Sequence, residues 1–302
     1  DPRLALQVHA IVGGTPAYRR EFARNDSPDG PDDFDDWVTR TVLNPESPLF
    51  REARYLLAEE PNIRDHALYH TILAALADGN TTRGSVANYL GRKAADIGHP
   101  LDVLEDAGLI YRDTEAFREN RSDYRIAEPL IDFYHAIMRP VWDQLERPGA
   151  APRVWAASQK RYSAKVLGPH FEQICRDWAL HHANPDMFDG LPAKVSHGQV
   201  HDPAARTQHE VDLAVIGMPN NHGPAPLLAI GEAKWSTTMG HAHAERLSHI
   251  RELIGRSGRY DTSRTKLACV SGAGFSSQLE QQRRSRADLL LIGLDDLYAA
   301  PQ

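Results

Sequence analysis

Residues 209 to 217 read HEVDLAVIG and residues 227 to 235 read LLAIGEAKW. Both are short apolar runs bordered by turn-forming residues, the pattern of strands inside a sheet. Each nevertheless carries ionisable groups, Asp212 in the first and Glu232 and Lys234 in the second. An ionised side chain is expensive to bury unless it is paired or bound to metal. A fold that accepts these runs must therefore expose one face of both strands or bring the three charges together. Glu232 and Lys234 are two apart, so a strand points both to one face, roughly 6.6 Å apart along the chain. The segment of about nine residues between the runs permits an antiparallel pairing, which places Asp212 opposite them.

Two converging carboxylates offer the hard oxygen donors that Mg²⁺ or Mn²⁺ prefers. A lysine beside such an ion can orient or deprotonate the attacking water, or stabilise charge developing at phosphorus. Without a cation the two carboxylates would repel and raise each other's pKa. Neutralising Asp212 is then expected to leave metal-free stability unchanged or slightly improved. The contrary reading is a surface ion pair on a solvated sheet face, which contributes little.

The rest of the 302-residue chain limits the alternatives. Its length favours two or three compact units, and 41% hydrophobic with 25% charged residues is ordinary for a globular protein. No apolar run reaches membrane-spanning length. Cys175 and Cys269 are the only cysteines, too few for a disulfide framework or a cysteine-based zinc site, and the sequence opens without a signal-peptide pattern. A cytoplasmic setting is the expectation. The net charge of −7 argues against indiscriminate nucleic-acid binding, but it is unevenly spread. Lys and Arg number 7 against 12 Asp and Glu in residues 1–60, 9 against 12 in 61–140, and 18 against 17 in 141–302. No acidic residue occurs from Arg147 to His170. Arg153, Lys160, Arg161 and Lys165 in that stretch, with Arg283, Arg284 and Arg286 near the end, are the expected phosphate contacts if DNA is a partner.

Along the chain, LALQVHAIVGG reads as a helix broken at Gly13-Gly14, and G-x-x-x-x-G-K-[ST] occurs nowhere, so no ATP site is expected in this chain. Residues 61–130 give a helix near Ala67 to Ala77, a short helix capped by Thr81 or Thr82, a third helix interrupted by Pro100, and two strands around a charged tip. That order is the one found in a winged helix-turn-helix. The third helix carries Asp96, Asp102, Glu105 and Asp106, a poor surface for a phosphate backbone, while the hairpin adds Arg112, Arg118, Arg121 and Arg125 among acids. ERPGAAPR reads as a linker, and from about Val154 the pattern turns α/β: a helix to His181, strands near Lys194–Val200, Glu210–Gly217 and Leu227–Lys234, a helix from His243 to Gly255, the strand KLACVSG, a helix near Ser276 to Ser285, and a last strand in DLLLIGL. His241 with His243, and His197 with His201, are alternative metal pairs, but two histidines at i, i+2 diverge on a helix. Trp178 and Trp235 are expected in the core or at its rim.

The string EVD…GEAK resembles the D…(D/E)-x-K signature of the PD-(D/E)XK nuclease superfamily, and the order helix, three strands, helix, strand is similar to that superfamily's core. By that resemblance Asp212, Glu232 and Lys234 are the catalytic set. Glu172, in GPHFEQIC, matches the helix glutamate that many members add, so Glu172, Asp212 and Glu232 would hold Mg²⁺ or Mn²⁺. Val211 stands where the name has proline, a position loosely kept. Upstream, IVGGTPAY, LLAEEP, the stretch LYHTILAALADGNTTRGSVANYLGRKAADIGHPLDVLEDAGLIYR and YRIAEPLIDFYH resemble a prokaryotic family of predicted AAA+ ATPases, without its ATPase core. The resemblance implies a multi-domain α+β chain: a helical lid-like segment over 1–60, a winged helix over 61–147, and a restriction-endonuclease-like α/β domain over 154–302. It implies DNA as substrate and an ATPase core or other protein as partner. The alternative is a non-catalytic DNA-binding or protein-assembly module that keeps the nuclease fold.

Overall fold

A computed structural model describes residues 1–55, 65–118, 121–219 and 223–299. The chain is α+β and forms two compact units, residues 1–113 with 122–169 and residues 114–121 with 170–302. LLAEEP, read above as part of the family likeness, runs into 56–64 and lies outside the described residues. Among the described residues, no helix is long and apolar enough to cross a membrane.

The first unit opens with the helix Pro2–Val12, whose first N–H groups are accepted by the Asp1 carboxylate at Arg3 and Leu4. It stops where Gly13 takes φ 62° and lies so close to Pro129 that a Cβ would sit 3.2 Å from the ring. The helices His66–Ala77, Arg83–Tyr89 and Ala94–Asp106 follow, then strands β1 (Ile110–Thr114) and β2 (Ser122–Ile126), paired as a two-stranded sheet. Thr82 is the cap of the short helix, accepting from the Ser85 N–H while Ser85 returns a bond to the Thr82 backbone. Thr81 serves elsewhere, its hydroxyl on Asp123 and its carbonyl on the Tyr124 N–H. The Ala94–Asp106 helix runs unbroken through Pro100, which is buried. Proline costs the helix one N–H bond; its ring is here absorbed into a core of Ile72, Leu73, Val86, Ile97, Leu101, Leu104 and Ile131.

The second unit is built on a mixed five-stranded sheet in the order β3 (Pro192–Asp202), β4 (Thr207–Gly217), β5 (Leu227–Lys234), β6 (Lys266–Ser271), β7 (Leu289–Ile292). β4 runs antiparallel to its neighbours β3 and β5, whereas β5, β6 and β7 run parallel. Parallel strands need crossovers, and the helices His241–Ser257 and Ser277–Ser285 supply them. Val211, Ala214, Ile230, Leu247, Ile250, Leu267 and Cys269 share its core. The tip of the β1–β2 hairpin belongs to this unit: Ala116 donates to the His197 carbonyl, and the Tyr260 hydroxyl donates to the Ala116 carbonyl. Gly198 leaves the room that Phe117 occupies, since a Cβ there would approach the ring to 2.5 Å. The tip is therefore a packed structural element, and its neighbours are likewise engaged. Arg112 pairs with Glu105 and lies over Tyr124, Arg125 faces Asp113, and Arg118 faces Glu115.

Candidate functional site

The antiparallel register of β4 and β5 sets Leu213 opposite Gly231 and Ala214 opposite Ile230. Continued by one residue, it brings Asp212 beside Glu232, as the strand geometry required. Asp212 Oδ2 accepts from the Ala233 N–H at 2.9 Å and from Lys234 Nζ at 3.4 Å. Glu232 Oε1 lies 3.3 Å from the same Nζ. Both carboxylates are 4% exposed, while the Lys234 side chain is open to about a third. Burial alone would lower the Lys234 pKa, but Asp212, Glu232 and Glu172 outweigh it and the net shift is upward. Lys234 is thus a fixed cation and hydrogen-bond donor.

Two arginines complete the arrangement, and neither was singled out in the sequence. Arg246, on the His241–Ser257 helix, donates from Nη1 to Glu232 Oε1 at 2.8 Å and from Nη2 to the Glu210 carbonyl at 2.8 Å. Arg176, on the Gly168–His181 helix, donates to the Asp212 carbonyl at 3.0 Å and to Gln173 Oε1. Glu172 is one turn earlier on that helix, and residues four apart share a face. Phe171 meets Trp235 edge to face at 5.3 Å, fixing the helix against the end of β5. Trp178 and Trp235 are both core residues. Cys269, paired with Glu232 across β5 and β6, has its thiol pushed up to about 12 by burial and by the Glu232 charge.

The expectation of two carboxylates repelling each other without a cation is corrected here: Lys234 lies between them and Arg246 adds a second positive charge. One donor atom stays open. Glu232 Oε2 is buried and has no hydrogen-bond partner among the described residues, an arrangement that desolvates an oxygen without replacing its lost bonds. An oxygen ligand directed at a cation would satisfy it, so Asp212 and Glu232 offer hard oxygen donors for a divalent ion. Glu172, Asp212 and Glu232 do not, however, come close enough together to form a three-ligand group, the one such group among the described residues lying elsewhere.

The alternative pair His241 and His243 is engaged with different partners. His241 bonds Gln282, and His243 Nδ1 meets the Gly240 backbone. A different group able to hold a metal ion is present instead, formed by Asp202, His209 and His249. Asp202 ends β3 and His209 lies in β4, where the pairing of Asp202 with Thr207 and of Val200 with His209 leaves them diagonal neighbours. His249 arrives from a helix some forty residues on, a separation that no spacing motif signals.

The basic residues expected to meet phosphate divide between the units. Arg153 and Lys160 are exposed on the Ala151–Arg161 helix of the first unit, as are Arg283 and Arg284 on the Ser277–Ser285 helix of the second. Arg161 is committed to the Ala136 carbonyl and Asp78, Lys165 to the Asp78 carbonyl, and Arg286 to Asp288 and Ser248.

No known family profile matches the chain. Over 178 residues it is 27% identical to an uncharacterized protein of Methanocaldococcus jannaschii, MJECL04, a match that takes in 58% of this chain and 37% of that protein. The chain thus spans little more than a third of that relative's length. Among solved structures, protein VC1899 from Vibrio cholerae aligns at a TM-score of 0.26 with 15% identity, covering 82% of this chain and 50% of that one.

Proposed function

We propose that the second unit is a metal-dependent phosphodiesterase domain of the PD-(D/E)XK type that acts on DNA, with Glu172, Asp212, Glu232 and Lys234 as its working residues. The observation that carries this reading is that Lys234 Nζ lies within 3.4 Å of both Asp212 and Glu232 on adjacent antiparallel strands, with Glu232 Oε2 buried and without a hydrogen-bond partner among the described residues. The element order of helix, β3, β4, β5, helix, β6 agrees with that superfamily's core. In the first unit, the three helices before β1 and β2 support a winged helix that positions substrate or partner. The same reading makes the chain the C-terminal part of a longer ATPase-family protein, with ATP bound elsewhere than on these residues.

A bound Mg²⁺ or Mn²⁺ would supply Lewis acidity and an acidified water at the carboxylates. The protein's own contribution follows from the contacts. Asp212 is fixed by the Ala233 N–H, and Glu232 by Arg246, so both present their oxygens without rotamer search. Lys234 holds its proton, which suits it to orienting a water and stabilising negative charge at phosphorus, and not to acting as general base. Removing one such donor costs about 10²–10³ in rate. A non-catalytic reading draws on one observation, that Lys234 and Arg246 together already balance the charges of Asp212 and Glu232.

The test is cleavage of supercoiled plasmid and end-labelled duplex with Mn²⁺ or Mg²⁺, against EDTA, by the parent and by Lys234→Ala. The expected result is metal-dependent nicking that falls at least about 100-fold in the variant. DNA binding without nicking under every condition would select the non-catalytic reading. Arg283→Glu with Arg284→Glu should weaken binding and flatten its salt dependence, each lost phosphate contact removing about 0.9 from the log–log slope.

A further inference from the structure

We propose that Asp202, His209 and His249 form a second metal site, specific for a zinc-type divalent ion and separate from the carboxylate cluster. Asp202 is buried, and its two oxygens are divided between tasks. Oδ1 accepts the backbone N–H groups of Ala204 and Ala205 at 2.9 and 3.0 Å, which locks the carboxylate in the β3–β4 turn. Oδ2 is thereby aimed at the histidines, 2.7 Å from His249 Nε2 and 3.8 Å from His209 Nε2. The three donor atoms lie within 4.8 Å of one another.

His209 supplies an observation independent of that clustering. Its Nε2 is buried and makes no hydrogen bond among the described residues, since 3.8 Å to Oδ2 is beyond hydrogen-bond reach. A buried imidazole nitrogen without a hydrogen-bond partner is one that a metal ion would satisfy in the tautomer that leaves its lone pair free. The distances suit a small tetrahedral ion: bonds of about 2.1 Å at tetrahedral angles separate donor atoms by roughly 3.4 Å, between the two separations observed. Two imidazoles and one carboxylate are the borderline donors that favour Zn²⁺ over Mg²⁺. The backbone bonds to Asp202 Oδ1 are the outer-shell support that fixes a ligating carboxylate. His249 is nearly half exposed, so the fourth position faces solvent.

An ion there joins the β3–β4 turn to the His241–Ser257 helix. That helix also carries Arg246, three residues from His249, whose guanidinium holds Glu232. The site therefore tethers the helix that supports the carboxylate cluster while taking no ligand from it.

The experiment uses the whole chain, stripped with EDTA, returned to metal-free buffer near neutral pH and titrated with Co²⁺ by visible absorption and with Zn²⁺ by calorimetry. The intense bands of low-coordinate cobalt are expected to saturate at one Co²⁺ per chain and to be displaced by Zn²⁺, whereas any Co²⁺ held by oxygen ligands at the carboxylate cluster is six-coordinate and absorbs only weakly. His249→Ala, an exposed position with little folding risk, should weaken binding by more than the roughly 10- to 100-fold typical of losing an outer-shell partner. His209→Ala should do the same, and Asp212→Asn should leave the intense cobalt bands as they are in the parent. Absence of cobalt bands, retention of binding in His249→Ala, or its loss in Asp212→Asn would each overturn the proposal. The last result would place the ion at the carboxylate cluster. Nuclease activity enters none of these readouts, so the site stands or falls apart from the catalytic reading.

Discussion

Lys234 lies 3.4 Å from Asp212 and 3.3 Å from Glu232, and that single side chain changes what neutralising Asp212 should do. With only two facing carboxylates, Asp212→Asn would relieve repulsion. In the structure Asp212 is buried against a lysine and the Ala233 N–H. Asparagine keeps an acceptor for the N–H but leaves the partly buried ammonium with less opposing charge. Asp212→Asn should therefore lower metal-free stability by about 1–3 kcal/mol, the range for a weakened charged hydrogen bond. A metal ion bound only by the folded state raises the melting temperature by mass action. The discriminating quantity is thus the Mg²⁺-induced rise, present in the parent and absent in the variant. Paired melts with Mg²⁺ and with EDTA measure it, and a parent insensitive to Mg²⁺ would leave the carboxylates as a structural ion network. Asp212, Glu232 and Lys234 were legible because all three break apolar strand patterns. Arg246, Arg176, Asp202, His209 and His249 break none, and their roles depend on contacts across tens of residues.

At the level of elements, β4 and β5 were readable almost to their ends, since Glu210–Gly217 and Leu227–Lys234 were expected and Thr207–Gly217 and Leu227–Lys234 are observed. Buried strands announce themselves through continuous apolar runs. The hairpin tip did not, because Ala116 and Phe117 acquire their meaning from His197, Gly198 and Tyr260. Neither did the commitments of Arg161 and Lys165 to the turn at Asp78, since charge patterning alone cannot separate a free cation from one that ties a loop. Gly231 is a further case. A glycine within a strand marks close approach of another backbone, and here a Cβ would meet the Ala268 carbonyl oxygen at 2.7 Å and Ala268 Cβ at 3.0 Å. Gly231→Ala must push β5 from β6 immediately before Glu232, and should cost about 1–3 kcal/mol in denaturant unfolding. Gly223→Ala, whose Cβ meets none of the described residues within 4 Å, is the control. Equal stability of Gly231→Ala and the parent would mean that the two strands can separate without penalty.

Across the molecule as a whole, the two units should respond to acid in different pH windows. In the second, Asp288 is held down to about 2 by hydrogen bonds from Arg286 and Arg251. Its contribution is present above the ordinary carboxylate pKa and is lost only as pH falls from about 4 towards 2. In the first, burial lowers His70 to about 4 and drives His135 in the same direction, the two rings lying 5.4 Å apart with neither His135 nitrogen hydrogen-bonded among the described residues. An unfolded histidine takes its proton near pH 6.5 whereas these refuse it, so the unfolded state gains protons first and stability falls as pH drops below about 6.5. Asp132 opposes this. Burial raises it to about 7, so its folded form is already protonated where the unfolded form is not, and its contribution is greatest at low pH and lost as pH rises through about 7. Single substitutions separate the two terms. His135→Phe removes a group whose protonation the fold resists, and its melting temperature relative to the parent should rise as pH falls from 8 to 5. Asp132→Asn fixes the neutral form, removes the penalty the parent meets at high pH, and should show the opposite slope. Melting curves at intervals across that range give both differences. Parallel slopes for the two variants, or none, would show that the fold neither keeps the proton off the buried His135 nor raises the half-buried Asp132.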